Sequence, residues 1–178
     1  MIYWKKGNLL ESDCDYICQQ VNCQGKMNSG IAKQIREKWP VVYQNYKPKY
    51  EASKKAWLDL YGGYEDAPGP DEMLLGNIQI VGLWENFYET DFHQSVINMF
   101  AQQHYGYDKR RYTSYDAFWN CLNLIKQSVT TDKKIGFPYN IGCGLGGANW
   151  NVILTMIDTV LTDYTVEIYV LEDKDGKN

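Results

Sequence analysis

A long apolar segment is missing from this chain: no run approaches the ~20 residues that a membrane span needs. Met1-Ile2-Tyr3-Trp4 passes at once into Lys5-Lys6-Gly7, which is unlike a secretory leader. Both absences point to a soluble, cytoplasmic protein without a membrane partner. An excess of positive charge is missing too. Eighteen Lys and Arg stand against 22 Asp and Glu, for a net charge of -4, so nothing pulls the chain generally toward polynucleotide. Lys109-Arg110-Arg111 is the one short basic cluster, either a solvated turn or a holder of a second phosphate. Histidine, the ordinary proton shuttle near neutrality, occurs only as His93 and His104. The five cysteines (Cys14, Cys18, Cys23, Cys121 and Cys143) are an odd number in a chain read as non-secreted, which predicts free thiols. Cys14, Cys18 and Cys23 lack C-x2-C spacing and a neighbouring histidine, so neither a metal site nor a cofactor is expected.

What is present suffices for one globular domain: 178 residues, 44% hydrophobic, can bury a sizeable core. Fifteen tyrosines and six tryptophans are expected mostly in the core and half-buried surface, with a few lining a ligand cleft. Residues 2–5 and Tyr16–Asn22 read as strands. Ser29 is placed to cap a helix over Gly30–Lys38, with Ile31, Ala32 and Ile35 on one face, and Pro40 ends it. Residues 41–47 and 50–60 read as further, separate helical pieces, and 62–71 (GGYEDAPGPD) as a loop insertion. Strands are expected over 76–84 and 95–101. A long amphipathic helix should then run from Tyr115 to near Val129. A strand over 135–138, a helix over 152–161 and a strand over 166–171 complete a domain of residues 1–172, followed by a polar tail over 173–178. Strands alternating with helices predict an α/β fold, a three-layer α/β/α sandwich around a mostly parallel mixed sheet. In such sheets ligands sit at the carboxyl ends of the strands.

The densest signal is Ile141-Gly142-Cys143-Gly144-Leu145-Gly146-Gly147, lying between a strand and a helix. Glycine removes the Cβ that would bump a ligand, and successive N–H groups ahead of a helix make a concave anion site. A phosphate held mainly by backbone is the inference. Gly142, Gly144 and Gly147 satisfy G-x-G-x-x-G, yet only 31 residues follow, too few to complete a dinucleotide fold. No Gly-Lys-Ser/Thr follows either, which excludes a P-loop. A second strand–loop–helix passage, Val21-Asn22-Cys23-Gln24-Gly25-Lys26-Met27-Asn28-Ser29-Gly30-Ile31-Ala32, is placed to share the same cleft.

Taken together, these two loops resemble the macrodomain family, which binds ADP-ribose. Tyr3-Trp4-Lys5-Lys6-Gly7-Asn8-Leu9-Leu10, Ile97-Asn98-Met99-Phe100-Ala101-Gln102 and Arg111-Tyr112-Thr113-Ser114-Tyr115 agree with that resemblance, which spans nearly the whole chain except the 62–71 insertion. It looks closest to the branch that processes ADP-ribose 1''-phosphate and to the terminal ADP-ribose hydrolases. The resemblance implies ligand contacts from Asn8 and Leu9 at the adenine end, where Asn8 replaces an aspartate common in relatives. It implies that Asn22, Gly25, Lys26, Met27, Asn28, Ser29, Gly30, Ile31 and Ala32 wrap the distal ribose and one phosphate. Ile141, Gly142, Cys143, Gly144, Leu145, Gly146 and Gly147 would cradle the other phosphate, with Gln102 and Tyr139 completing the pocket and Trp150 packing beside it. ADP-ribose or an ADP-ribosylated substrate is the implied partner, nucleic acid enters only as such a substrate, and a monomer is expected.

One branch of the family uses a lysine and an aspartate at the places that read Gln102 and Gly146 here, so that catalytic pair is absent. The asparagine that orients the distal ribose in a larger group is replaced by Gly25, and Asn28 stands where glycine is usual, as expected if its φ is positive. Catalysis would therefore rest on positioning and on the ligand's own phosphate, with Gln24, Asn28 and His104 as the candidate residues. Cys143 reads as a small space-filler. The expected activity is hydrolysis at the distal ribose or removal of a 1''-phosphate; the alternative is a non-catalytic reader or nucleotide sink.

Overall fold

Six strands order as β1-β6-β5-β2-β4-β3, all parallel except β3, which runs antiparallel at one edge. They are β1 (Ile2–Lys6), β2 (Tyr16–Asn22), β3 (Ile78–Gly82), β4 (Ser95–Gln102), β5 (Lys134–Pro138) and β6 (Thr165–Val170). Among the described residues four α-helices, α1 (Gly30–Lys38), α2 (Pro40–Tyr61), α3 (Tyr115–Ser128) and α4 (Trp150–Val160), cover the sheet. The computed structural model describes residues 1–64, 67, 69–83 and 94–171. His93, the end of the strand expected to reach residue 84, three residues of the 62–71 insertion and the expected tail lie outside them.

The central strands carry apolar side chains on both faces, as a sheet covered on both sides requires. On one face Cys18, Ile97 and Met99 pack with Phe118 and Leu122 of α3 and Ile153 and Ile157 of α4. On the other, Ile17, Val21, Val96 and Phe100 pack with Ile35 of α1 and Val42 and Tyr46 of α2. The result is the expected three-layer sandwich with a mostly parallel mixed sheet. A chain of side-chain amides runs across three of the strands. Gln19 Nε2 donates to Asn98 Oδ1 at 2.7 Å, and Asn98 Nδ2 donates to Gln79 Oε1 at 3.1 Å, linking β2, β4 and β3 in register. All five cysteines are free thiols.

Several boundaries differ from the sequence expectation. The two helical pieces around Pro48 are one helix of 22 residues. Proline removes an N–H and leaves the carbonyl of the residue four back without its donor. Here that residue is Gln44, which is exposed, and water can take the donor's place. Gly76 belongs to the turn before β3, where its φ of +83° suits only glycine. Helix α4 starts at Trp150 because Asn149 caps it, its Oδ1 accepting from Asn151 N at 2.9 Å. Ser29 occupies the N-cap position of α1, yet its side chain makes no capping bond.

Candidate functional site

Strands β2 and β5 are neighbours, but they pair only at Tyr16 with Ile135 and Ile17 with Gly136. Beyond those two positions they part, so the sheet itself opens toward its carboxyl ends. The chain leaves β2 for α1 on one face and leaves β5 for α4 on the other. Such a switch point is where open α/β sheets bind ligands. A cleft of about 710 Å³ occupies it. Its walls come from residues 7–9 after β1, 169–171 at the end of β6, residues 138–142 and 144–146 after β5, Gln20 of β2 and Gln102 of β4. Ser29, Gly30, Ile31, Ala32 and Gln34 close the α1 side. At a strand spacing of about 4.8 Å, five neighbouring strand ends span about 19 Å.

No Asp, Glu, Lys, Arg or His lines this cleft among the described residues; its only ionisable side chains are Tyr139 and Tyr169. Burial, together with a 2.8 Å bond to Glu167 Oε2, pushes the Tyr169 phenol well above its ordinary value. The wall therefore offers no side-chain base near neutral pH. What it offers is backbone. The N–H groups of Gly142, Gly144, Leu145 and Gly146 find no acceptor among the described residues, whereas those of Cys143, Gly147 and Ala148 bond within the loop. The first turn of α1 adds donors that no helix satisfies internally, and the uncapped Ser29 leaves them so. Two sets of converging N–H groups beside a helix N-terminus suit an anion.

Gly142 and Gly146 are required by close approach. With φ at +73°, a Cβ on Gly142 would sit 2.5 Å from Gln20 Oε1, and one on Gly146 would land on Gly142 O and Thr113 Oγ1. An aspartate cannot occupy position 146 without moving this loop. Gln20 anchors the surroundings: its Nε2 donates to Gln102 Oε1 at 2.7 Å and to Thr113 Oγ1 at 2.8 Å, and Thr113 Oγ1 donates to Gly142 O at 2.9 Å.

A second cavity of about 110 Å³ adjoins the cleft, sharing Gln20, Ser29, Ala32, Gln102 and Leu145 with it. Asn22, Lys26, Asn28, Tyr105, Gly106 and Tyr107 close its far side, so Lys26 is the one cation there among the described residues. Asn22 is committed to the loop that it starts. Its Oδ1 accepts from Gln24 N and Lys26 N, its Nδ2 donates to Lys26 O, and the buried Tyr46 hydroxyl holds its carbonyl at 2.6 Å.

Of the residues singled out from sequence, Asn8, Leu9, Ser29, Gly30, Ile31, Ala32, Gln102, Tyr139, Ile141, Gly142, Gly144, Leu145 and Gly146 line the cleft. Asn22, Lys26 and Asn28 line the small cavity and not the cleft. Met27 is buried in the core under α1, and Gly25 is packed against the Tyr50 ring and lines neither space. Asn28 is not left-handed: the positive φ values of this loop fall on Gly25 and Gly30, and Asn28 Oδ1 instead accepts from Arg36 Nη1 at 3.0 Å. Cys143 turns toward the α4 layer, where burial raises its thiol, and Gly147 packs against the backbone of Arg110 and Arg111. Gln24 and His104 meet each other away from the cleft wall. His104 Nδ1 is 3.0 Å from Gln24 Nε2 and 3.7 Å from Asp71 Oδ2. Lys109, Arg110 and Arg111 line neither cavity, and Arg110 is turned back onto Asp108 at 2.6 Å. Trp150 packs edge-on against Tyr139 at 5.1 Å between centroids, and against Trp4.

Sequence reasoning missed Gly7, Gln20, Gln34, Pro138, Asn140 and residues 169–171. Gln19-Gln20 did carry a signal: two adjacent amides in an otherwise apolar strand must point to opposite faces. Asn140 holds φ at +60°, a left-handed turn just ahead of the glycines.

No family model matches the chain, and no curated protein matches it in sequence. Solved structures do match in fold. A Bacteroides thetaiotaomicron protein of unknown function superposes with a TM-score of 0.72 at 22% identity, over 95% of this chain and 97% of its own. The macrodomain of Mycobacterium tuberculosis DarG gives 0.64 at 22% identity, again over 95% and 97%. Thermosipho africanus DarTG in complex with ADP-ribose gives 0.66 at 19% identity, over 97% of this chain and 42% of that one. The chain has the macrodomain fold.

Proposed function

We propose that the cleft binds ADP-ribose, or a molecule that carries it, across the carboxyl ends of the five parallel strands. The observation that carries this reading is the set of unpaired N–H groups of Gly142, Gly144, Leu145 and Gly146 and of the first turn of α1, in a cleft with no charged side chain among the described residues. A pyrophosphate fits that middle stretch. The cleft extends to either side, toward Asn8 and Tyr169 at one end and Gln20 and Gln102 at the other, with room for a nucleoside and a second sugar. The ADP-ribose held by the DarTG neighbour of the same fold supports the choice of ligand. Adenosine lies at the Asn8 end, the pyrophosphate between residues 142–146 and 29–32, and the distal ribose toward Gln20 and Gln102.

The small cavity favours hydrolysis at the distal ribose. It opens beside Gln20 and Gln102, where a leaving group and a water can sit. With no carboxylate or imidazole on the cleft wall among the described residues, the water is oriented by backbone N–H groups and activated by the ligand's own phosphate. Calorimetric titration with ADP-ribose, AMP and NAD tests binding, and micromolar affinity selective for ADP-ribose is the expected result. Incubation with ADP-ribose 1''-phosphate and with ADP-ribosylated protein then separates hydrolase from reader, since a reader binds them and releases no product.

A further inference from the structure

The geometry points to Gln20 as the positioning residue that holds the glycine loop open toward the ligand. It stands on β2 three residues beyond Ile17, the last to pair with β5, so no strand hydrogen bonds fasten the loop after β5 to β2. The Gln20 amide supplies the missing link. Both its N–H donors are used, one on Gln102 Oε1 and one on Thr113 Oγ1. Thr113 relays the tie: its hydroxyl donates to Gly142 O, and its N–H, together with that of Tyr112, donates to Gly146 O at 2.9 Å. Two carbonyl oxygens that would repel a phosphate are thus drawn back from the cleft, while N–H groups of the same loop stay unspent.

The amide's other end shows which half matters. Gln20 Oε1 is buried without a partner, an arrangement that forfeits the hydration of that oxygen. A flip would not relieve it, because Oε1 would then face Gln102 Oε1, and the Gln102 amide is already committed through Nε2 to His104 O at 2.9 Å. The fold keeps a stranded acceptor in order to place two donors. Gln20 acts through Thr113 and the loop and makes no direct contribution to chemistry; the loop's effect on affinity rests on the ADP-ribose reading.

The test uses the whole chain, labelled with ¹⁵N, without ligand and then titrated with ADP-ribose and with AMP, which does not extend to the distal sugar. Gln20→Met keeps length and packing and removes the donors; Thr113→Val removes the relay, and Thr113→Ser retains it. Gln20→Met and Thr113→Val are expected to displace or broaden the amide signals of Gly142, Gly144 and Gly146. ADP-ribose affinity should fall at least tenfold and AMP affinity less than twofold, while Thr113→Ser matches the parent. The double variant should be no weaker than the weaker single one, because both cut the same tie. A folded Gln20→Met with unmoved glycine signals and the parental ADP-ribose to AMP ratio overturns the role. If Gln20→Met does not fold, the valine and serine variants at 113 decide it. Silence of the parent toward ADP-ribose overturns the ligand reading, and the ligand-free glycine signals still judge Gln20.

Discussion

Two glycines separated by one residue should respond in opposite ways to a side chain. Around Gly144 a Cβ meets nothing within 4 Å, and its φ lies outside the left-handed region, so the backbone tolerates substitution. Gly144→Val therefore leaves the fold intact but projects three carbons into the space between unpaired N–H groups. Displacing a phosphate from several charge-assisted bonds, each worth about 1.5–3 kcal/mol, should weaken ADP-ribose binding by two orders of magnitude or more. At Gly146 the Cβ of alanine lands on Gly142 O and Thr113 Oγ1. Relief requires the loop backbone to shift, at about 1–3 kcal/mol for overpacking. For a chain of this length that is a melting temperature lower by roughly 2–12 °C. Thermal unfolding followed by circular dichroism, paired with calorimetric titration of ADP-ribose, reads both arms. If Gly144→Val binds ADP-ribose within threefold of the parent, the loop is not where the phosphate sits. An unchanged melting temperature for Gly146→Ala would mean that the loop is slack enough to accept a side chain.

Tyr46→Phe removes the hydroxyl that holds Asn22 O and leaves a buried carbonyl unpaired, so unfolding in urea should show a loss of about 1–3 kcal/mol. Asn8→Ala should lower ADP-ribose affinity about fivefold, the equivalent of one hydrogen bond near 1 kcal/mol, and narrow the preference for adenine over other bases. A fully parental base preference would remove Asn8 from adenine reading; because Asn8 Oδ1 also accepts from Leu10 N, a small drop in melting temperature is expected as well. Asp108 is held down to about 2 by hydrogen bonds from Tyr112 and Arg110. Its folded value lies below its unfolded one, so its contribution to stability is present above pH 4 and is lost as pH falls toward 2. Carboxyl NMR should find that low midpoint, and Tyr112→Phe should raise it.

The fold was legible because its signals are local and agree with one another. Gly30–Lys38 is bounded by Ser29 and Pro40, and Tyr16–Asn22 is a short apolar run between polar turns. Pro48 misled because proline argues against a helix only where the carbonyl it abandons is also buried, and exposure cannot be read locally. Within the site, the glycines were legible by composition. Their neighbours were not: Gln20 and Thr113 are 93 residues apart and meet only because β2 and β4 pair in the sheet. His104 shows the reverse error, since proximity in sequence to Gln102 did not bring its ring to the cleft wall. Met27, in the middle of the loop between β2 and α1, turns inward and anchors that loop in the core.

The parting of β2 from β5 separates the cleft's shape from its chemistry. Its width is written first in main-chain hydrogen bonds that stop at Ile17 and Gly136, with Gln20 the wall side chain that ties the glycine loop in place beyond them. Asn8, Gln34, Leu145 and Leu171 stand around that gap without bridging it. On the ADP-ribose reading, replacements there are expected to alter which base, sugar or attached group is welcome and to leave the breadth of the opening untouched. The same scaffold can thus be turned to a neighbouring ligand by exchange at a handful of rim positions, with no need to fold anew.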